Sequence, residues 1–223
     1  MTQQGPVNSK FGPGFRIVVL ISGRGTNLAA IIDAVAAGML PVELAAVVSN
    51  EPHAPGIELA RRAGHEVTIV HHREFPDREH FDTALAEAID RHDPDLVVLA
   101  GFMRILTGGF VRRYRGRLVN IHPSLLPELP GLDTHARALA AGAEVHGATV
   151  HFVTEELDGG PIIAQAQVPV LAGDDPDTLA ARVLAREHML LPRTLAWFAA
   201  RRVSLDGDRV LIDDIPALSH PPG

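Results

Sequence analysis

The sequence predicts an α/β fold: an open, mostly parallel Rossmann-like sheet with helices on both faces and an antiparallel C-terminal extension. Three observations predict it. Short continuous apolar runs, beginning with FRIVVLIS at residues 15–22, have the texture of strands covered on both faces. They alternate with segments whose apolar residues recur at helical spacing, and such alternation implies right-handed crossovers between parallel strands. After Gly131 the segments alternate more between apolar and polar residues, the pattern of antiparallel pairing.

The elements follow in order. After the first strand, Leu28, Ile31, Ile32 and Val35 lie at helical spacing and Gly38 stops the run. Thr26 or Asn27 is placed to cap this helix, which is expected to begin at Leu28. Residues 42–49 form a second strand, 56–63 a helix, 66–70 a strand, and Phe81, Leu85, Ala88 and Ile89 mark the next helix. Strand 96–100, a short helix at 110–114 and strand 117–121 complete the parallel part. A helix carrying Ala136, Leu139 and Ala140 leads to ATVHFVT and IIAQAQVPV, which can pair around the turn ELDGGP. Asp175 before Pro176 reads as an N-cap with proline at the first helical position, opening a helix towards Phe198 with a kink or break at Pro192. VSLDGDRVLI reads as a hairpin around Asp206 and Gly207.

Composition bounds the function. A chain of 223 residues without repeats or low-complexity linkers predicts one domain, residues 15–223, preceded by a loose polar lead-in at 1–14. That lead-in lacks the apolar segment of a secretory signal, and no apolar run approaches a membrane span, which predicts a soluble cytoplasmic protein. A formal charge of −7 gives no global attraction for nucleic acid or anionic membranes, so an anionic ligand must be held locally. With no cysteine there is no disulfide, thiolate metal site or cysteine nucleophile. Lys10 is the only lysine and falls in the lead-in, which leaves arginine for basic chemistry and argues against a Schiff base.

Ligands of open parallel sheets gather outside the carboxyl ends of the strands, where the unusual residues of this chain fall. In SGRGTN, Gly23 and Gly25 allow close backbone approach and the helix that follows offers free N–H groups to a phosphate. No lysine follows, so this is not a Walker A loop, and Leu28 stands where a dinucleotide fingerprint has its third glycine. A plain tight turn accounts for the two glycines equally well. In NIHPSLLPELPG, Asn120 and His122 are two apart on a strand and project to one side, while Pro123, Pro127 and Pro130 limit the freedom of the loop beyond. A structural histidine and a turn-forming asparagine are the alternative. In TEELDGGP, Asp158 precedes two glycines and a proline, a sharply turned loop that presents a carboxylate, and a carboxylate near an imidazole favours the imidazolium. A plain turn explains that segment alone. His71 and His72 are expected to point to opposite faces of a strand, as are His146 and His151, and no metal site is expected.

Together, VVLISGRGTNLAAIIDA, VVLAGFMRIL, NIHPSLLPELPG, HGATVHFVTEELDGGPII and REH resemble the phosphoribosylglycinamide formyltransferases, folate-dependent enzymes of purine synthesis, over about residues 16–198. The resemblance implies transfer of a formyl group from 10-formyltetrahydrofolate to the amine of glycinamide ribonucleotide. It implies that Asn120, His122 and Asp158 are catalytic. Gly25, Thr26, Asn27 and Glu187 match the ribonucleotide site. Arg78, Met103, Arg104, Ile105, Leu106 and Asn120, with Thr154, Glu155, Glu156, Leu157 and Asp158, match the folate site. Asp133 stands where similar enzymes often carry histidine, so neither Asp133 nor the neighbouring His135 is given a role, in a loop expected to be a mobile cover. A monomer or a homodimer is compatible with the sequence. Two relatives are disfavoured: methionyl-tRNA formyltransferases add a C-terminal tRNA-binding domain, and formyltetrahydrofolate hydrolases an N-terminal regulatory one. A non-catalytic phosphosugar- or folate-binding protein is a third alternative, against which the presence of all three catalytic residue types speaks.

Overall fold

The structure is a computed structural model that describes residues 14–213; the expected lead-in up to residue 13, with Lys10, and the last ten residues lie outside the described residues. A seven-stranded sheet runs β3-β2-β1-β4-β5-β6-β7. The parallel part consists of β1 (Phe15–Ile21), β2 (Val42–Ser49), β3 (Val67–Ile69), β4 (Leu96–Leu99) and β5 (Leu118–His122). β6 (Val145–Phe152) and β7 (Ile162–Pro169) continue it antiparallel, as expected.

The first strand shows why the runs are continuous. Ile17, Val19 and Ile21 enter one core cluster and Val18 and Leu20 the other, and all five are fully buried. Helices α1 (Thr26–Ala36) and α6 (Pro176–Ala199) pack against each other on the first face, with α2 (Pro55–Arg62) against α1 and α5 (Thr134–Ala140) against α6. Helices α3 (Arg78–Asp90) and α4 (Gly108–Arg113) contribute Phe81, Leu85, Ile89 and Phe110 to the second. Because the order reverses between β1 and β4, their carboxyl ends diverge and leave a crevice at the switch point.

Several boundaries differ from expectation. α1 begins at Thr26, two residues early, because Gly25 itself is the N-cap, in the left-handed region at φ 74° with no side-chain cap bond. β6 does not alternate: seven of its eight residues are buried, since it lies inside the sheet with β5 and β7 on its flanks and α6 against one face. β7, at the sheet edge, does alternate. α6 passes through Pro192 without a break. Its start is as read, with Asp175 accepting from Thr178 N at 2.8 Å and Thr178 Oγ1 accepting from Asp175 N at 2.9 Å. The terminal hairpin pairs β8 (Val203–Asp206) with β9 (Arg209–Ile212); Asp206 pairs with Arg209, so the turn residues are Gly207 and Asp208, one position later than expected.

Candidate active site

The glycine loop after β1 is held by a second loop that the sequence did not single out. A Cβ on Gly25 would stand 2.8 Å from Gly56 Cα, and Gly56 N donates to Gly23 O at 3.0 Å. This contact brings the start of α2 against the start of α1. The first backbone bond of α1 runs from Ala29 N to Gly25 O, and no acidic residue occupies its first turn. The N–H groups of the first turn and the positive helix end therefore suit an anion.

In the first turn of α1, Asn27 donates from Nδ2 to Glu187 Oε2 of α6 at 2.6 Å, and both side chains are buried. Burial raises the Glu187 carboxyl above its ordinary range, against the bond from Asn27 and the nearby His122. Asn27 Oδ1 is buried without a partner. These groups line a cleft of about 660 Å³ together with Ser22, Gly25, Thr26 and Met103. The cleft holds unspent hydrogen-bonding capacity, which a polar ligand can satisfy.

β5 ends beside this cleft. Ile121 and Pro123 line it, whereas Asn120 lines a smaller cavity of about 110 Å³ on the other side. Asn120 pairs in register with His151 of β6, and Asn120 Nδ2 lies 3.2 Å from His151 Nε2. The imidazole of His151 faces the Phe152 carbonyl through Nδ1 at 2.9 Å, so Nδ1 carries the proton. Burial pushes the His151 pKa down, which keeps the ring neutral and makes Nε2 an acceptor. Asn120 therefore gives one N–H to His151. The other N–H remains for a ligand.

His122 is buried beneath the loop that follows it. Its Nε2 lies 3.0 Å from Leu129 O and must donate, and Nδ1 lies 3.5 Å from Asp158 Oδ2. Asp158 Oδ2 also accepts from Gly131 N at 2.8 Å, and Asp158 Oδ1 is 3.8 Å from His151 Nε2. The sharp loop expected around Asp158 is present: Asp158 has φ 52°, and a Cβ on Gly160 would fall 1.8 Å from Phe152 O. The amide, imidazole and carboxylate thus converge. The loop after β5 occupies both His122, through Leu129 O, and Asp158, through Gly131 N.

Of the positions matched to folate, Arg104, Ile105, Leu106, Asn120 and Thr154 through Asp158 line the smaller cavity. Met103 instead lines the larger cleft, where its N–H donates to Ser22 Oγ at 2.7 Å. Arg78, the first residue of α3, is exposed and lines neither cavity. Two histidines given no role do enter the site. His151 orients Asn120, and His135 lines the larger cleft with Nδ1 3.2 Å from His146 Nε2. A signal for His151 lay in its place within HFVTEELDGG, seven residues before Asp158 and on a strand able to return beside β5. Strand alternation also misled for His71 and His72. β3 stops at Ile69 and a short 3₁₀ turn follows at His72–Glu74, so both imidazoles lie near Glu51 rather than on opposite faces.

The two cavities flank the exit of β5, with Asn120 in one and Ile121 and Pro123 in the other, a layout that suits an enzyme of two substrates. Residues 15–195 match the family model described as Formyl transferase. Phosphoribosylglycinamide formyltransferase of Escherichia coli (strain K12) is 52% identical over 197 residues, covering 88% of this chain and 93% of that one. The solved phosphoribosylglycinamide formyltransferase of Coxiella burnetii, in complex with CHES, is similar at a TM-score of 0.87 and 50% identity, covering 90% of this chain and 94% of that chain. A formyltetrahydrofolate deformylase from Pseudomonas syringae pv. tomato is similar at a TM-score of 0.84 and 30% identity, covering 91% of this chain and 67% of that chain. The chain belongs to the formyl transferase family, among the phosphoribosylglycinamide formyltransferases.

Proposed function

We propose that the chain transfers the formyl group of 10-formyltetrahydrofolate to the amine of glycinamide ribonucleotide, in de novo purine biosynthesis, by direct attack through a tetrahedral intermediate. The observation that carries this reading is the chain of close contacts at the exit of β5 that runs from Asn120 through His151 and Asp158 to His122, with Asn120, His151 and Asp158 lining the smaller cavity. The ribonucleotide phosphate lies over the N-terminus of α1, and Asn27 Oδ1 and Glu187 receive its polar groups. The folate lies along Arg104 to Leu106 and Thr154 to Asp158.

The neutral amine attacks the formyl carbon and charge builds on the formyl oxygen. The free N–H of Asn120 and an N–H of protonated His122 stabilise it, the kind of preorganised donation that usually supplies the largest catalytic term. Leu129 O must release His122 Nε2 for this to happen, so substrate replaces a cover-loop contact. Asp158 holds the imidazolium and passes the proton lost by the amine to the departing folate nitrogen, directly or through water. No covalent enzyme intermediate is required.

Asn120→Ala and His122→Ala should each lower kcat by about two to three orders of magnitude, the cost of losing an oxyanion donor. Asp158→Asn should lose rate severely with its melting temperature retained; a large drop in melting temperature would assign Asp158 to folding instead. The deciding assay follows deformylated folate with each substrate alone and both together. Transfer requires both, whereas hydrolysis, the reaction suggested by likeness to the deformylase, proceeds with folate alone. A binding protein turns over neither.

A further inference from the structure

Away from the proposed reaction centre, at the carboxyl ends of β2 and β3, one carboxylate oxygen of Glu51 and one nitrogen each of His71 and His72 lie within 4.8 Å of one another. We propose that these three side chains bind a divalent transition ion of the zinc class. Two imidazoles and a carboxylate are a donor set for zinc and its neighbours, whereas magnesium and calcium prefer oxygen throughout. Ligand atoms around tetrahedral zinc stand about 3.4 Å apart, given bonds of about 2.0–2.1 Å, so the trio must close by little more than about an ångström. Side-chain torsions can provide that. The Glu51 side chain is 35% exposed and that of His71 26%, which leaves both room to move and access for the ion.

The backbone beneath the trio is already fixed. Val70 N donates to Ser49 O at 2.9 Å, which locks the exits of the two strands together. Ser49 Oγ bonds both Glu51 O at 2.8 Å and Glu51 N at 3.2 Å, and Glu74 N closes the next turn onto His71 O at 3.0 Å. Asn50 contacts the same His72 Nδ1 that stands 3.6 Å from Glu51 Oε1, with its amide nitrogen at 3.2 Å and its carbonyl at 3.1 Å, so an ion taking that nitrogen would replace these bonds. Ser22 Oγ in turn donates to Asn50 Oδ1. Glu74 Oε1 stands 3.5 Å from His71 Nδ1, near enough to become a fourth ligand or to orient that ring. The ion would staple the loop after β2 to the loop that leads into α3.

The test uses the full chain, stripped with a chelator and titrated calorimetrically with zinc chloride, with magnesium chloride as control. The expected result is one equivalent of zinc bound, no magnesium bound, and affinity reduced at least about tenfold in His71→Ala and in Glu51→Gln. Both substitutions fall on partly exposed side chains, and melting curves of the metal-free variants check their folding. A second measurement needs no variant: cobalt chloride added to the stripped protein should give the intense visible bands of a four- or five-coordinate ion, and zinc should abolish them. Zinc binding unchanged in both variants would place the ion on other histidines and overturn the proposal. So would the absence of binding, or a cobalt spectrum no different from that of the hydrated ion.

Discussion

At the residue scale, the informative side chain is His151, a buried imidazole that contributes by staying neutral. Its Nδ1 is committed to Phe152 O, so Nε2 can only accept, and this decides which way the Asn120 amide faces. If Asn120 donates to the reacting oxygen as proposed, His151 acts through it as a positioning residue. His151→Ala should therefore lower kcat by about one to two orders of magnitude, less than loss of the Asn120 donor itself, with little change in KM. Because it acts through Asn120, the double variant Asn120→Ala/His151→Ala should be no slower than Asn120→Ala alone. Losses that simply multiply would show instead that His151 contributes independently. Asn120 and His122 were legible in the sequence because a strand makes residues two apart share a side. His151 was not, since its role depends on register with a strand 31 positions away, fixed only when β5 and β6 pair.

At the element scale, the glycine loop and α2 form one unit. Gly25 has no Cβ because Gly56 Cα occupies its place, and a Cβ on Gly56 would meet Ile21 Cδ1 at 2.7 Å and Gly23 O at 3.1 Å. Gly56→Ala should then destabilise by about 1–3 kcal/mol, the usual cost of overpacking, and raise KM for the ribonucleotide by displacing the loop at the start of α1. Denaturant melts and steady-state kinetics would check both effects. A variant that loses stability while keeping its KM would show that the loop does not depend on α2. The sequence disclosed the strand, turn and helix here, and it disclosed the cap of α6, because both follow from neighbours in the chain. It did not disclose Gly25 as the cap of α1, whose reason is a contact with a residue 31 positions on. Nor did it disclose the burial of β6 on both faces, which follows from its place inside the sheet rather than from its own pattern.

At the scale of the whole molecule, the topology was legible because continuous apolar strands and intervening amphipathic helices admit few arrangements, and the site fell at the switch point such arrangements create. The electrostatic cost of the buried ionisable side chains was not legible, since it depends on burial. His135, His146, His151 and His188 all have pKa values lowered first by burial, that of His146 to about 4. In the unfolded chain each returns to about 6.5. Between those values the unfolded state binds more protons than the native state. The histidine contribution to stability is therefore complete above about pH 6.5 and is lost as pH falls towards the folded pKa values. Glu187 and Asp82 work in the opposite sense: burial raises their pKa values, so the native state gains protons more readily than the unfolded state and is favoured as pH falls through that range. The large depression at His146 sets the expected sign, a net loss of stability as pH falls below about 6.5. Urea midpoints measured near pH 7, 6 and 5 should decline steadily, starting above the range in which ordinary carboxylates titrate. His146→Gln, which removes the largest of these titrations, should show a visibly shallower decline. A His146→Gln variant with the wild-type slope would mean that His146 is not carried uncharged in the folded protein, whereas a flat wild-type midpoint beside a variant whose midpoint rises as pH falls would mean that Glu187 and Asp82 offset it.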